Sequence, residues 1–174
     1  QQHVDRTRGI THRMLGFARR MEPHQDTVNV NDIVNEALSF IEREASFRHV
    51  ELIRQLDAEL PMIKSDRAQL QQVFLNLLNN ALDAVAEGGR IMVTSRAVAE
   101  SVMVMVEDNG CGIPEELHDR IFDPFFTTKA PGEGSGLGLS ICHTIMKGLG
   151  GSLSFDSAPG EGTVFRVRLP RTAE

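Results

Sequence analysis

The sequence predicts an α+β fold: a two-layer α/β sandwich in which a mixed, mostly antiparallel sheet of about five strands carries three helices on one face. Three observations predict it. Over residues 66–86, Leu70, Val73, Phe74, Leu77, Leu78, Ala81, Leu82 and Val85 recur at helical spacing and give one apolar stripe. Residues 91–97 and 101–107 are two extended runs close enough to pair as a hairpin. In 163–169 the pattern has period two, with Phe165, Val167 and Leu169 facing in and Arg166 and Arg168 facing water.

Taken in order, residues 3–21 predict a helix. Val4, Thr7, Thr11, Met14, Ala18 and Met21 recur at alternating spacings of three and four, a short coiled-coil-like seam. Pro23 stops it. A strand is expected over 27–30. Asn31 or Asp32 can cap a helix whose apolar face is Ile33, Val34, Ala37, Leu38 and Ile41. Residues 50–56 alternate as a strand does, and 60–63 form a shorter extended piece around Pro61. Asp66 caps the helix of 66–86, and Gly88-Gly89 ends it. Residues 110–135 are rich in Gly, Pro and Thr and read as irregular, with one turn of helix over 115–119. A helix over 136–148 and closing strands over 152–155 and 163–169 complete the chain.

The chain has 174 residues, enough for one domain with a real core and a short appendage. Its net charge of −6 argues against nucleic acid as a partner. Cys111 and Cys142 offer neither a disulfide framework nor metal-ligand spacing, which fits a reducing, cytoplasmic compartment. No apolar run approaches ~18 residues, so no membrane contact is expected of this chain. It begins at Gln1 rather than Met, so a fragment is expected, cut from a parent that can carry a sensor or a membrane anchor.

Chemistry concentrates in three stretches. The run Val102-Met103-Val104-Met105-Val106 reads as a strand buried on both faces, and it delivers Asp108-Asn109-Gly110-Cys111-Gly112. Two glycines one residue apart let backbone approach a ligand. A carboxylate only accepts hydrogen bonds, so Asp108 selects a ligand that donates, such as an exocyclic amine. On the helix of 66–86, Asn76, Asn80 and Asp83 fall on one stripe away from the apolar face. Asparagine is a poor helix former, and its carbonyl oxygen suits a hard cation that already carries phosphates. Gly132, Gly134, Gly136 and Gly138 alternate into a helix start, where unpaired N–H groups can receive a polyphosphate. No Gly-Lys-Ser/Thr follows, so this is not a Walker A loop, and the spacing is not that of a dinucleotide fold. Between these stretches, Phe122, Phe125 and Phe126 are expected to clamp a movable segment onto the domain. Lys129 is a candidate phosphate contact.

Together these stretches resemble the ATP-binding domain of sensor histidine kinases, within the superfamily shared with DNA gyrase, Hsp90 and MutL. Asn76-Leu77-Leu78-Asn79-Asn80-Ala81 resembles the N box. Asp108-Asn109-Gly110-Cys111-Gly112 resembles G1, and Phe122-Asp123-Pro124-Phe125-Phe126 the F box. Gly134-Ser135-Gly136-Leu137-Gly138-Leu139 resembles G2, and Gly162-Thr163 the small motif before the last strand. The resemblance implies that Asp108 binds the adenine amino group, with Gly110, Gly112 and Ile113 in the same ATP-binding set and Thr163 helping through water. It implies Asn80 as the Mg²⁺ ligand, Asn76 beside it on the ligand-shell or phosphate side, and Asp83 among the ATP-binding residues. Gly134, Ser135, Gly136, Leu137, Gly138 and Lys129 would contact the phosphates. Residues from about 123 to 135 would form an ATP lid that orders around a triphosphate.

The family's phosphoacceptor motif, a histidine followed by an acid and then a proline, is absent. His118-Asp119 comes nearest but has Phe122 where the proline belongs. Residues 1–22 resemble the end of the second helix of a dimerisation hairpin, leaving 23–174 as the catalytic domain. The resemblance implies ATP and Mg²⁺ as cofactors, and as partners the parent's own dimerisation domain in a homodimer and a response-regulator receiver domain. The expected reaction is transfer of the γ-phosphoryl group to a histidine on a helix outside this chain, then to a regulator aspartate. Two other readings stay open at this point: a serine kinase of the anti-sigma type on the same fold, and a nucleotide-gated interaction module without transfer.

Overall fold

The structure is a computed structural model and describes residues 25–130 and 134–171. The expected helix over 3–21, and the division at residue 22, lie outside the described residues. The chain opens with β1 (Asp26–Val28), α1 (Val30–Phe47), β2 (Glu51–Leu56), β3 (Ile63–Ser65) and α2 (Arg67–Ala84). It continues with β4 (Arg90–Val98), β5 (Ser101–Asp108), a 3₁₀ turn at Glu115–Leu117, α3 (Gly138–Gly148), β6 (Ser152–Ala158) and β7 (Gly162–Pro170). The main sheet has the order β2-β4-β5-β7-β6, and β1 with β3 forms a separate two-stranded ribbon. β2 runs parallel to β4 because α2 intervenes as a crossover, and the other neighbours are antiparallel.

Each helix starts for a local reason. Asn29 caps α1 by accepting from the Asn31 N–H at 2.9 Å. The cap is thus two residues earlier than Asn31. Asp66 caps α2 by accepting from the Gln69 N–H at 3.0 Å. The third helix starts at Gly138 rather than 136, because Gly136 sits at φ +65. The β3 strand begins at Ile63 rather than residue 60. The Leu60 N–H is committed to a turn on Asp57 O, and Pro61 has no N–H to give a ladder.

α2 lies between α1 and α3. Its Leu70, Val73, Phe74, Leu77, Leu78, Ala81 and Leu82 are buried against the sheet and the flanking helices. Each of the large ones stabilises by about 1.5–3 kcal/mol. Val102, Val104 and Val106 of β5 face this core and are buried, but Met103 and Met105 on the other face are only half-buried. The expectation of a strand covered on both faces is therefore corrected. The three described helices lie on one side, and an unbroken apolar run does not say which side is covered. Leu153, Phe165, Val167 and Leu169 continue the inner face, with Arg168 outside, as the period-two pattern predicts.

Candidate functional site

β5 delivers Asp108 to one end of a cavity of about 440 Å³ that lies between α2, the loop after β5, the segment before α3, and β7. Asp108 is only 5% exposed. Its Oδ1 accepts from the Gly110 N–H at 2.8 Å. The neighbouring Thr163, its register partner on β7, lines the same wall. The loop after Asp108 is pinned on two sides. The Cys111 N–H donates to Ala84 O at the end of α2, and Cys111 O accepts from the Gly160 N–H in the β6–β7 turn. The Ile113 N–H donates to Ser157 Oγ at 2.8 Å. Arg48 braces the end of α2, donating from both terminal nitrogens to Leu82 O and Val85 O at 2.6 Å each. Ile113, Leu117, Ile121 and Phe165 give this end apolar walls, suited to a flat base.

Burial holds the Asp108 carboxyl above its ordinary 3.8. The N–H groups of Gly110 and Thr163 pull it back in part, and Glu107 adds a small upward push. The folded carboxyl thus binds its proton more tightly than the unfolded one. Its ionisation opposes folding, and the stability it contributes is lost as pH rises from 3.8 through the raised value. An amine-bearing ligand needs the ionised form, so binding has the opposite sign. ADP affinity is expected to fall as pH drops through that window. Calorimetry across acidic pH checks this; a flat profile that Asp108→Asn does not alter would exclude Asp108 from the contact.

The other end of the cavity is polar. Asn76, Asn80 and Asp83 project into it from three successive levels of α2, and Gly134, Ser135, Gly136 and Gly138 face them. Asn76 Nδ2 donates to Gly138 O at 3.3 Å, tying α2 to the start of α3. α1 and α2 are capped by side chains, but no side chain caps α3. Its first N–H groups lack a side-chain acceptor where Gly138 and Leu139 meet the cavity, so this end is built for an anion. Lys129 Nζ is ion-paired with Asp83 at the cavity mouth. Asn80 makes no side-chain hydrogen bond among the described residues. No group of three or more His, Cys, Asp or Glu that could hold a metal occurs among them either. Neutral amides alone do not hold Mg²⁺, but they fit one that arrives with phosphates and keeps several waters.

The segment between these ends is closed at its feet. A Cβ on Gly136 would collide with the Phe125 backbone, so the chain must come back to within contact of its own departure point. Phe122 packs against His143 and edge-on to Phe155, and Phe126 carries the Arg120 guanidinium 4.6 Å from its ring centre. Phe125, however, is 63% exposed and sits at φ +67. The expected three-phenylalanine clamp is therefore a two-phenylalanine clamp. His118 is half-buried, with Nε2 at 3.0 Å from Ile113 O and its ring edge-on to Phe155.

Of the residues expected to bind ATP, the structure gathers Asn76, Asn80, Asp83, Asp108, Gly112, Ile113, Lys129, Gly134, Ser135, Gly136, Gly138 and Thr163 around this one cavity. Gly110 and Leu137 are not on its wall. Gly110 is buried against Ala84 O and supports Asp108 from behind, and Leu137 O accepts from the Ile141 N–H at the start of α3. Asn79, Cys111 and Leu139 line the cavity and were not singled out, although each adjoins a residue that was. Ser157 and Arg48 act through other residues, and no local pattern marks them.

The histidine kinase-, DNA gyrase B-, and HSP90-like ATPase family model matches residues 65–173. The chain is 37% identical over 168 residues to the signal transduction histidine-protein kinase AtoS of Escherichia coli strain K12, covering 96% of this chain and 27% of AtoS. It is 34% identical over 189 residues to the sensor kinase CckA of Brucella abortus strain 2308, covering 100% of this chain and 20% of CckA. The chain thus spans about a fifth to a quarter of the length of these relatives. Among solved structures, the isolated catalytic domain of histidine kinase ThkA superposes with TM-score 0.77 at 35% identity, covering 88% of this chain and 98% of that one. ThkA in complex with the response regulator protein TrrA gives TM-score 0.82 at 31% identity, covering 99% of this chain and 49% of that one. No described helix is long and apolar enough to cross a membrane. With the strand-borne Asp108, the asparagine stripe of α2 and the uncapped α3 all facing one cavity, the matches have a physical basis: the chain belongs to the histidine kinase-, DNA gyrase B- and HSP90-like ATPase family and carries an ATP-binding domain of the histidine kinase type.

Proposed function

We propose that this chain is the catalytic part of a cytoplasmic sensor histidine kinase region. It binds ATP with Mg²⁺ and presents the γ-phosphoryl group to a histidine on a helix outside the chain, for relay to a response-regulator aspartate. The observation that carries this is the polarity of the cavity. One end accepts hydrogen bonds from an amine through Asp108, and the other offers the open N–H groups of α3 to an anion. The base would lie between Ile113 and Phe165, with Thr163 reaching it directly or through water. Asn80, with Asn76 beside it, would hold the Mg²⁺ ion, which when bound neutralises phosphate charge. Lys129 would exchange Asp83 for a phosphate oxygen. The work of the site is then positioning and charge stabilisation rather than covalent chemistry.

Residues 1–22 are proposed as the tail of a dimerisation helix, in a parent that is a homodimer. The isolated ThkA catalytic domain covers 88% of this chain, whereas the longer ThkA chain covers 99%, a gap about as long as that segment. The TrrA complex of ThkA supports a receiver domain as the partner of the parent. Incubated alone with radiolabelled ATP, the 174-residue chain is expected to stay unlabelled. With the parent's histidine-bearing hairpin added, that hairpin should acquire an acid-labile, base-stable label. Labelling of the chain alone, on His118 or any other histidine, would place the acceptor here instead, and an acid-stable label would point to a serine kinase.

A further inference from the structure

Ser157 on β6 lies across from Thr163 on β7. Its hydroxyl has three close partners. The Ile113 N–H reaches Ser157 Oγ at 2.8 Å. Gly162 O lies 2.9 Å from it, and Thr163 Oγ1 lies 2.8 Å from it. A serine hydroxyl has one proton to give and two lone pairs with which to accept. A carbonyl only accepts, so the Gly162 contact uses the serine proton. The Ile113 N–H occupies one lone pair. Only the second lone pair is left for Thr163, and Thr163 must therefore be the donor. Its proton is turned toward Ser157, and its lone pairs are left for the cavity, whose wall includes Thr163 but not Ser157.

We propose that Ser157 is a specificity-determining positioning residue: by holding the Thr163 hydroxyl as an acceptor, it makes the base end of the cavity acceptor-only and so selects 6-amino over 6-oxo purines. The inference rests on reading the cavity as a nucleotide site. Asp108 and Thr163 together then offer lone pairs alone. An exocyclic amine has two N–H groups to share with them, directly or through a water. A 6-oxo group meets them with lone pairs of its own, and the single N1–H beside it can serve only one of the two acceptors, so a buried acceptor is left unpaired, which is how a polar site rejects an analogue. Without Ser157 the Thr163 hydroxyl is a free rotor and can turn its proton to the oxo group.

The test is calorimetric titration of the 174-residue chain with ADP and with IDP, using denaturant melts to establish that each variant folds. The parent should prefer ADP. In Ser157→Ala the ADP-over-IDP ratio should narrow at least about tenfold, and in the near-isosteric Ser157→Cys it should narrow likewise, which covers the case in which alanine does not fold. Thr163→Val, which removes the lone pairs in question, should also narrow it, and Ser157→Ala added to Thr163→Val should narrow it no further. A purely structural role would weaken both nucleotides alike. An unchanged ratio in the serine variants or in Thr163→Val, or a further change in the double variant, overturns the proposal while leaving ATP binding intact. A parent chain that binds neither nucleotide overturns the nucleotide-site reading and this inference with it.

Discussion

Asp108→Asn should weaken ADP binding by roughly ten- to a hundredfold while leaving the fold intact or slightly more stable. The two effects separate because Asp108 has two separate jobs. Its Oδ1 accepts from the Gly110 N–H at 2.8 Å, and an asparagine oxygen can take over that bond. Its carboxyl also lines the cavity, where asparagine would set an NH₂ group against the ligand's own amine. Two donors facing each other in a buried wall lose the hydrogen bond and leave polar groups unsatisfied, worth roughly 1–3 kcal/mol, and 1.4 kcal/mol is tenfold in affinity. Folding feels the opposite pull. Burial raises the Asp108 carboxyl above 3.8, so at neutral pH its charge opposes the folded state, and a neutral amide removes that opposition. Calorimetry with ADP and a urea melt on the same sample measure both. Retained affinity would take Asp108 out of the adenine contact, and a large drop in stability would show that the carboxylate is a structural group.

The functional half of α2 was legible because a helix of 3.6 residues per turn puts Asn76, Asn80 and Asp83 on one face whatever the rest of the chain does. Asp108 was legible for a similar reason, since an apolar run ending in an acid and two glycines is a local pattern. What escaped depends on distance along the chain. Ser157 contacts Ile113 forty-four residues away, a pairing that exists only once β6 and β7 have found their register. Arg48 reads as a polar residue after a helix, and its two bonds to the end of α2 span more than thirty positions. Phe125 shows the opposite error. Three neighbouring phenylalanines suggested a clamp, but hydrophobicity says nothing of the left-handed backbone at Phe125, where the ring is left 63% exposed. Likewise the run of 102–106 announced burial without saying that helices cover only the valine side. Gly110 and Leu137 were assigned by their place in a motif, and each serves the site by holding up a neighbour.

Gly162→Ala is expected to be among the most damaging single substitutions near the site. Gly162 sits at φ +92, where a non-glycine backbone costs about 1–2 kcal/mol. The larger difficulty is its neighbour. A Cβ at this position would fall onto the carbonyl oxygen of Asp108, with the Asp108 carbonyl carbon at 2.9 Å and Asn109 Cα at 3.0 Å. These are backbone atoms at the end of β5, held by pairing on both sides, so they cannot swing aside as a side-chain tip can. Relief requires β5 and β7 to part at the end where Asp108 pairs with Thr163, which breaks the sheet ladder and the base-binding wall together. The combined loss should exceed about 4 kcal/mol, a large share of the roughly 5–15 kcal/mol that stabilises a typical domain. Gly160→Ala is the matched control. It has a similar backbone, φ +78, but no atom within 4 Å of the added Cβ, and its N–H to Cys111 O is untouched. It should lose only the conformational term, about 1–2 kcal/mol, and should still bind ADP. Urea midpoints of the two variants measured side by side decide the matter. Gly162→Ala should be unfolded or nearly so and should bind no nucleotide, whereas equal midpoints would mean that the close approach of β7 to Asp108 is not what holds this end of the sheet together.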